Sequence, residues 1–329
     1  MKANLIKSKW ESIVNDDVKM NKYLRYMHKG KALLFSIFKG VILSGIAFII
    51  LGPIISIVSN SFFSPTDVYN PSVFLFPLEP HLGNYKLAAM RLDYFKTLLN
   101  SLIYVAGVTL IQIFITSMAG YGFARFDFPF KKLLFACVVI TIILPTHTIM
   151  LPLYRHFRSW DVLGLISLFR GEPLNLLQSQ TPMYILSLFA SGLRSGLYIY
   201  IFRQFFRGLP KEIEEAALID GAGTFYTYFR IMLVNAMPAV LTVGIFSMVW
   251  QYNDMFYVQL FTMPMDKNLT FRLSTIQSTI SFVDRVKDPL ISQLYVYAGV
   301  VLALLPILIF YLFLQRYFME GLERSGIVG

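Results

Sequence analysis

The chain has 329 residues, of which 56% are hydrophobic and 15% charged, with one cysteine and a formal net charge of +10. A soluble domain carries about 25% charged and 45–50% apolar residues, so this chain lacks the polar surface to coat a water-soluble body of its size. The same numbers exclude intrinsic disorder, which needs low hydrophobicity, and the lone Cys137 excludes a disulfide framework within the chain.

The first 39 residues mix Lys2, Lys7, Lys9, Trp10, Lys19, Lys22, Arg25, Lys29 and Lys31 with Leu, Ile and Tyr. The apolar run behind them is too long for a signal-peptide core and has no A-x-A-like cleavage site after it. A basic N-terminal extension over 1–39 is therefore expected, either an amphipathic helix on the inner leaflet or a loosely ordered tail. A helix that crosses the hydrocarbon needs roughly 20 mostly apolar residues, because its backbone groups must pair within the segment. Stretches free of Asp, Glu, Lys and Arg predict six such spans: Gly40–Thr66, Thr97–Ala124, Leu133–Tyr154, Pro173–Leu193, Ile231–Asn253 and Pro289–Gln315. Arg194 cuts the fourth, which resumes at Ser195 and predicts a helix over Pro182–Arg203; the fifth meets Asp254 and continues through Met255 to Leu260. No 20–50-residue repeat is visible. The expected fold is all-α: one polytopic membrane domain over 40–329 with six transmembrane helices.

Lys and Arg set the orientation. With the N-terminus inside, the inner segments Met1–Lys39, Tyr121–Lys132, Arg203–Asn235 and Gln315–Gly329 hold eighteen of them, and the outer segments Asn60–Lys96, Arg155–Thr181 and Phe261–Asp288 hold ten. Both termini are thus predicted on the cytoplasmic side of the cell membrane. The net charge reads as topology and contact with anionic lipid of the bilayer; with no basic face on a soluble module, no nucleic acid partner is expected.

The inner stretch between spans four and five is more than a connection. Pro210 suits a first helical turn, and Glu212, Glu214 and Glu215 follow where a helix N-terminus favours negative charge. Asp220-Gly221 and Gly223 then give turn signals, and Phe225–Leu233 leads into the next span. This predicts a short helix–turn–helix, too short and too acidic to cross a membrane, whose Ala216 and Ala217 would let another protein's backbone approach closely. Glu215-Ala216-Ala217-x-x-Asp220-Gly221-Ala222 resembles the EAA loop of permease subunits in binding-protein-dependent ABC importers. Further segments are similar to the carbohydrate-importer, MalG-like branch. They are Asn100-Ser101-Leu102 and the Ala119–Pro129 stretch (AGYGFARFDFP), then Leu144-Pro145 with Ile149–Tyr154, Phe202-Arg203-Gln204-Phe205-Phe206, Asn253-Asp254, and Gln315–Phe318 with Gly321-Leu322.

The resemblance implies a type I ABC importer permease fold in which the loop over 208–235 couples to an ATPase. The contact positions carried over are Glu215, Ala216, Ala217, Asp220, Gly221 and Ala222. It further implies a second permease subunit as heterodimer partner, two ATP-binding subunits that hold ATP and Mg, and an extracytoplasmic solute-binding protein received by Asn60–Lys96 and Phe261–Asp288. Its substrate would be a carbohydrate, an oligosaccharide rather than a monosaccharide. Within the cytoplasmic tail over 315–329, Met319–Gly329 looks like a tail that reaches between the ATPase subunits, although Val328 stands where the family often has a basic residue. Two departures are visible: Leu233 is followed by Val234 and Asn235, with the proline only at Pro238, and Tyr252 stands where Trp is common.

No catalytic signature occurs. The chain has no G-x-x-x-x-G-K-[ST] loop and no paired metal-ligand spacing, so no cofactor is expected in it and hydrolysis must belong to a partner. Arg194, Gln251, Tyr252, Asn253, Asp254 and Tyr257 are the candidate translocation-pathway residues, because intramembrane charge and polarity normally face a cavity or partner. Two roles fit Asp254, lining the path or capping a helix; Arg194 fits a pair with Asp254 or with a partner chain, or a snorkel to water. Pro145 and Pro152 predict a kink in span three. An ion-gradient-driven secondary transporter is the competing class, favoured by intramembrane acids and an inverted repeat; Asp254 is the one acid within a span and no repeat is seen.

Overall fold

A computed structural model describes residues 17–264 and 267–326, with side chains in the terminal helices described for only part of their length. The segments outside include Lys2, Lys7, Lys9 and Trp10 at one end and Val328 at the other. Contact density divides the chain into residues 1–60 and 61–329. The first unit is one helix, α1 (Asp17–Asn60), with Pro53 inside it. It runs unbroken through residue 39, so the described part of the basic extension is helical and continuous with the first span.

The described elements of the second unit are helices, with one isolated antiparallel bridge between Trp160 and Leu174. In chain order come α2 (Gly83–Leu92), α3 (Tyr94–Arg125), α4 (Lys131–Ile143), α5 (Met150–Arg158), α6 (Leu165–Arg170), α7 (Thr181–Leu188) and α8 (Ser195–Gly208). They are followed by α9 (Glu212–Ile219), α10 (Thr224–Asn235), α11 (Met237–Tyr252), α12 (Phe256–Leu260), α13 (Leu269–Ser274), α14 (Ile276–Val283) and α15 (Pro289–Gly326).

Helix α3 is the axis of this unit and is built inside-out. Thr97, Ser101, Tyr104, Val108, Gln112, Thr116 and Gly120 recur every three to four residues and are buried, with Tyr121 beside the last. Leu99, Ile103, Leu110 and Phe114, on the other faces, are exposed. A bilayer gives no reward for hiding Leu from lipid, so small and polar side chains form the packed stripe and large apolar ones face outward. Helix α8 answers with Ser195, Tyr198, Ile199, Phe202 and Phe206, again at helical spacing, and α3 with α8 is the most extensively packed helix pair.

Among the described residues three helices are long and apolar enough to cross a membrane: Arg25–Asn60, Tyr94–Arg125 and Pro289–Phe313. Two bent pairs bring the number to five: Lys131–Ile143 with Thr146–Arg158, bent by 104°, and Thr224–Asn235 with Met237–Tyr252, bent by 76°. The first bend falls at Leu144-Pro145, where proline disfavours helix in the residue before it. The second falls at Ala236, with Pro238 in the first turn of α11.

The predicted fourth helix over Pro182–Arg203 is corrected. It is two short helices, α7 and α8, parted by residues 189–194, with Arg194 in left-handed backbone (φ 61°). The predicted continuation through Asp254 is likewise broken, since α11 stops at Tyr252 and α12 starts at Phe256. Charge-free length says nothing of continuity, and backbone groups freed at such breaks must find partners elsewhere.

The two segments predicted to lie outside meet. Arg91 on α2 forms an ion pair with Asp284 beyond α14, its Nε donating at 2.9 Å. The Tyr69 hydroxyl donates to Asp288 and holds that carboxyl below the usual carboxylate range.

Candidate functional site

The loop predicted to couple is built on a fixed end and a free face. Helix α9 begins with three glutamates in its first turn. It closes through a Schellman arrangement: the Ala222 N–H donates to the Ala217 carbonyl at 2.9 Å and the Gly221 N–H to that of Leu218 at 3.0 Å. Gly221 occupies the left-handed position that this closure needs, at φ +81°. The Ala217…Gly221-Ala222 spacing is therefore a helix stop written in the sequence. A Cβ there costs about 1–2 kcal/mol. Gly221→Ala is expected to speed hydrogen exchange at the amides of residues 221 and 222 by roughly five- to thirtyfold, read by mass spectrometry on the purified protein.

One face of α9 is held. Ala217 is buried, and Glu214 is clamped by α3. Arg125 Nε lies 3.2 Å from Glu214 Oε2, with the side chains 6% and 15% exposed. The Tyr121 hydroxyl donates to Glu214 Oε1, and Arg125 Nη2 donates to the Leu209 carbonyl at 2.8 Å. Beneath the clamp Tyr121, Tyr198, Phe202, Phe206, Tyr228 and Met232 form one buried cluster with Ala236. The Tyr228 hydroxyl bonds Ser117 of α3 at 2.6 Å. A π-turn over Thr227–Met232 widens α10 by one residue per turn there.

The opposite face is open. Glu215, Ala216, Asp220 and Gly221 are exposed and Ala222 is half-buried; Leu218, Phe225 and Tyr226 beside them are exposed, and Ile219 is 85% exposed. Five of the six predicted contact residues thus reach this surface, while Ala217 packs inward. Glu214, Tyr121 and Arg125 stand outside the motif's contact set. The one sequence signal toward them is the i, i+4 spacing of Tyr121 and Arg125 in the AGYGFAR stretch, which puts both on one face of a helix end.

The predicted pathway residues do not form one cluster. Gln251 belongs to a buried polar chain linking α3, α11 and the α7–α8 break. Ser247 Oγ donates to Gln112 Oε1 at 2.6 Å and exchanges a 2.9 Å bond with Thr109, while Gln112 Nε2 donates to the Leu193 carbonyl at 3.0 Å and lies 3.4 Å from Ser195 Oγ. Gln251 Nε2 meets Gln112 Oε1 at 3.4 Å, and Gln251 Oε1 has no partner among the described residues. Tyr252 is structural in position, its hydroxyl donating to the Ala303 carbonyl at 2.8 Å. Asn253 is exposed and bonds back to the Val249 carbonyl.

Asp254 caps α12. Its Oδ1 accepts from the Phe256 and Tyr257 amides at 3.1 and 3.3 Å, and its buried Oδ2 has no partner among the described residues. The pairing of Arg194 with Asp254 is corrected: no ion pair joins them, and the Arg194 guanidinium lies over the Trp250 ring, 4.7 Å from its centroid. An indole face attracts a cation without taking a carboxylate from a helix N-terminus.

Arg194 and Tyr257 come together on a recess of about 270 Å³, whose other walls include Thr141, Pro145, Thr146 and Ser191. It opens between the bend after α4, the α7–α8 break and α12. Residues of two backbone breaks, Leu144–Thr146 and Ala190–Ser195, line this recess, as expected where non-helical backbone at membrane depth lines a cavity. His147 stacks edge-on with Phe256, 4.8 Å between centroids.

Residues 112–324 match the family model described as binding-protein-dependent transport system inner membrane component. The chain is 31% identical over 243 residues to the arabinooligosaccharides transport system permease protein AraQ of Bacillus subtilis, covering 72% of this chain and 74% of that one. It is 25% identical over 314 residues to the probable starch degradation products transport system permease protein AmyC of Thermoanaerobacterium thermosulfurigenes, covering 92% and 99%. A crystal structure of a bacterial ABC transporter involved in import of the acidic polysaccharide alginate contains a chain of the same fold. Its TM-score is 0.68 at 20% identity, over 88% of this chain and 98% of that one.

Proposed function

The chain belongs to the binding-protein-dependent transport system inner membrane components, and from that membership we infer that it passes an oligosaccharide through the cell membrane as one permease of an ABC importer. The family's role is transport and not catalysis. ATP and Mg are held by two separate subunits, a second permease completes the pathway, and an extracytoplasmic solute-binding protein delivers the sugar. Both termini lie in the cytoplasm. The substrate class is supported by relatives named for arabinooligosaccharides and starch degradation products.

The observation that carries the mechanism is that α9 has two unlike faces. Through Glu214 it is fastened to α3 while Ala217 packs inward, and through Glu215, Ala216, Asp220 and Gly221 it offers a small-faced acidic knob flanked by Leu218 and Ile219. Such a knob fits a cleft with a basic rim on an ATPase subunit. When two ATPase subunits close on ATP, a helix fastened this way moves as a rigid body and carries α3 and α8 with it. The recess at Arg194 and Tyr257 lies at the other break of α8, so displacement of α8 alters it. Gln251 Oε1 and Asp254 Oδ2 are unpartnered acceptors that sugar hydroxyls can satisfy.

Glu215 makes no ion pair with a described residue, so reversing its charge leaves the permease's own packing intact. Glu215→Arg is expected to weaken retention of the ATP-binding subunits about 100-fold through like-charge contact, read as their loss on affinity purification from membranes. Intact co-purification together with intact uptake would refute the coupling role.

A further inference from the structure

Beside α9 lies a second cavity, away from the recess at Arg194 and Tyr257. It has a volume of about 690 Å³ and is lined by Arg125, Lys131, Lys132, Arg203, Arg207 and Lys211, with Asp127 as its one acid. Two of the six cations are neutralised inside the protein, Arg125 by Glu214 and Lys131 by Asp127 at 3.1 Å. The remaining four, Lys132, Arg203, Arg207 and Lys211, come from three separate chain segments and have no carboxylate partner among the described residues. Arg203 is the most committed of them. Its guanidinium lies 3.8 Å from the Phe135 ring centroid, and its buried Nε has no hydrogen-bond partner among the described residues.

Four unpaired cations around one cavity repel one another, and an anion relieves that repulsion. The surroundings say which kind. Phe123 and Phe135 form part of the wall, and Leu133, Leu134 and Phe130, on and just before α4, are exposed large apolar side chains beside it. A free inorganic anion has no use for that rim. An amphiphile does: its headgroup phosphate sits among the cations while its chains follow the apolar face of α4. Basic pockets between transmembrane helices hold anionic lipid headgroups on this principle.

We propose that this cavity is a binding site for an anionic glycerophospholipid, with Lys132, Arg203, Arg207 and Lys211 holding the phosphate and the Leu133–Leu134 side of α4 taking the acyl chains. Lys211 immediately precedes α9, and Arg125 is shared with the Glu214 clamp. A bound lipid therefore braces the root of the coupling helix and makes transport sensitive to the anionic fraction of the membrane.

The test uses the assembled transporter in nanodiscs of phosphatidylcholine doped with phosphatidylglycerol, with retained lipid counted by native mass spectrometry. Each cation near a headgroup is worth about fivefold in affinity, so the double variant Lys132→Gln/Arg207→Gln is expected to retain phosphatidylglycerol about 25-fold more weakly. The control pair Arg155→Gln/Arg158→Gln, exposed cations on α5, is expected to retain it as the parent does. Three results would overturn the proposal. The first is equal retention by variant and parent. The second is displacement of the lipid by millimolar inorganic phosphate with equal occupancy, which makes this a free-anion site. The third is loss of the ATP-binding subunits from the double variant with lipid retention unchanged, which makes the cations a protein contact.

Discussion

Replacement of Arg125 by methionine is expected to cut solute uptake at least about tenfold while the permease still reaches the membrane, since breaking a buried ion pair costs about 3–5 kcal/mol and the loss here is local. Arg125 does two things at once: it neutralises Glu214 on α9 and donates to the Leu209 carbonyl at the end of α8. Methionine fills the same space and makes neither contact. Glu214, with its side chain only 15% exposed, keeps the Tyr121 hydroxyl alone. A buried charge left without its partner is drawn out toward water, and that frees the first turn of α9. The ATPase subunits can still grip the outer face, because Glu215, Ala216 and Asp220 are untouched. The expected signature is therefore uncoupling: hydrolysis continues in reconstituted complexes and loses its stimulation by the sugar-loaded receptor. Arg125→Lys is expected to fall between, because one ammonium cannot reproduce a guanidinium fork shared between a carboxylate and a carbonyl. Glu214→Gln keeps the Tyr121 bond and is also expected to be intermediate. Wild-type uptake by Arg125→Met would show that the clamp is ornamental.

Much of this molecule was written locally and some of it was not. The span over Thr97–Ala124 is found as Tyr94–Arg125 and that over Pro289–Gln315 within Pro289–Gly326, because a long charge-free run has few other fates in a bilayer. The breaks were hidden because they are settled by packing between distant segments. Arg194 adopts left-handed backbone where the chain turns into α8, and the next residue but one, Gly196, sits so close to α4 that a Cβ would meet Thr141 Oγ1 at 2.2 Å. No property of residues 189–196 alone announces that contact. The coupling helix was legible for the opposite reason, since acidic first turn, small residues and Gly221 stop all lie within ten positions. Its anchor was not, because Tyr121 and Arg125 lie some ninety residues from Glu214 and only the fold brings them together. Arg194 and Asp254 misled for a related reason: opposite charge suggests a pair, while the aromatic face of Trp250 and two free amides of α12 were nearer at hand.

Gly120 and Gly122 stand two residues apart in one stretch of α3, and substitutions at them are expected to have opposite effects. A Cβ on Gly120 would meet the Phe202 Cβ at 2.5 Å, the Arg203 amide nitrogen at 3.0 Å and the Ile199 carbonyl oxygen at 3.2 Å. Two of those atoms are backbone and the third is held by a fully buried ring, so nothing there can rotate away; α3 and α8 must separate. Gly120→Ala is expected to destabilise by about 1–3 kcal/mol, the usual cost of overpacking. Gly120→Val adds two methyl groups at the same place and is expected to prevent assembly of the permease altogether. A Cβ on Gly122 has nothing within 4 Å. Gly122→Ala therefore removes a helix-destabilising glycine at no steric cost and is expected to be neutral or to gain up to about 1 kcal/mol. The measurement is the thermal unfolding midpoint of the purified complex, with membrane yield for the valine variant. Close approach of backbones through small residues is how helices associate where lipid offers no hydrophobic drive, and the cluster under the Glu214 clamp rests on this one crossing. Gly120→Ala should thus lower uptake together with stability, whereas Arg125→Met lowers uptake alone. Were Gly120→Ala and Gly122→Ala to melt alike, the α3–α8 contact would not be the support on which the coupling helix stands.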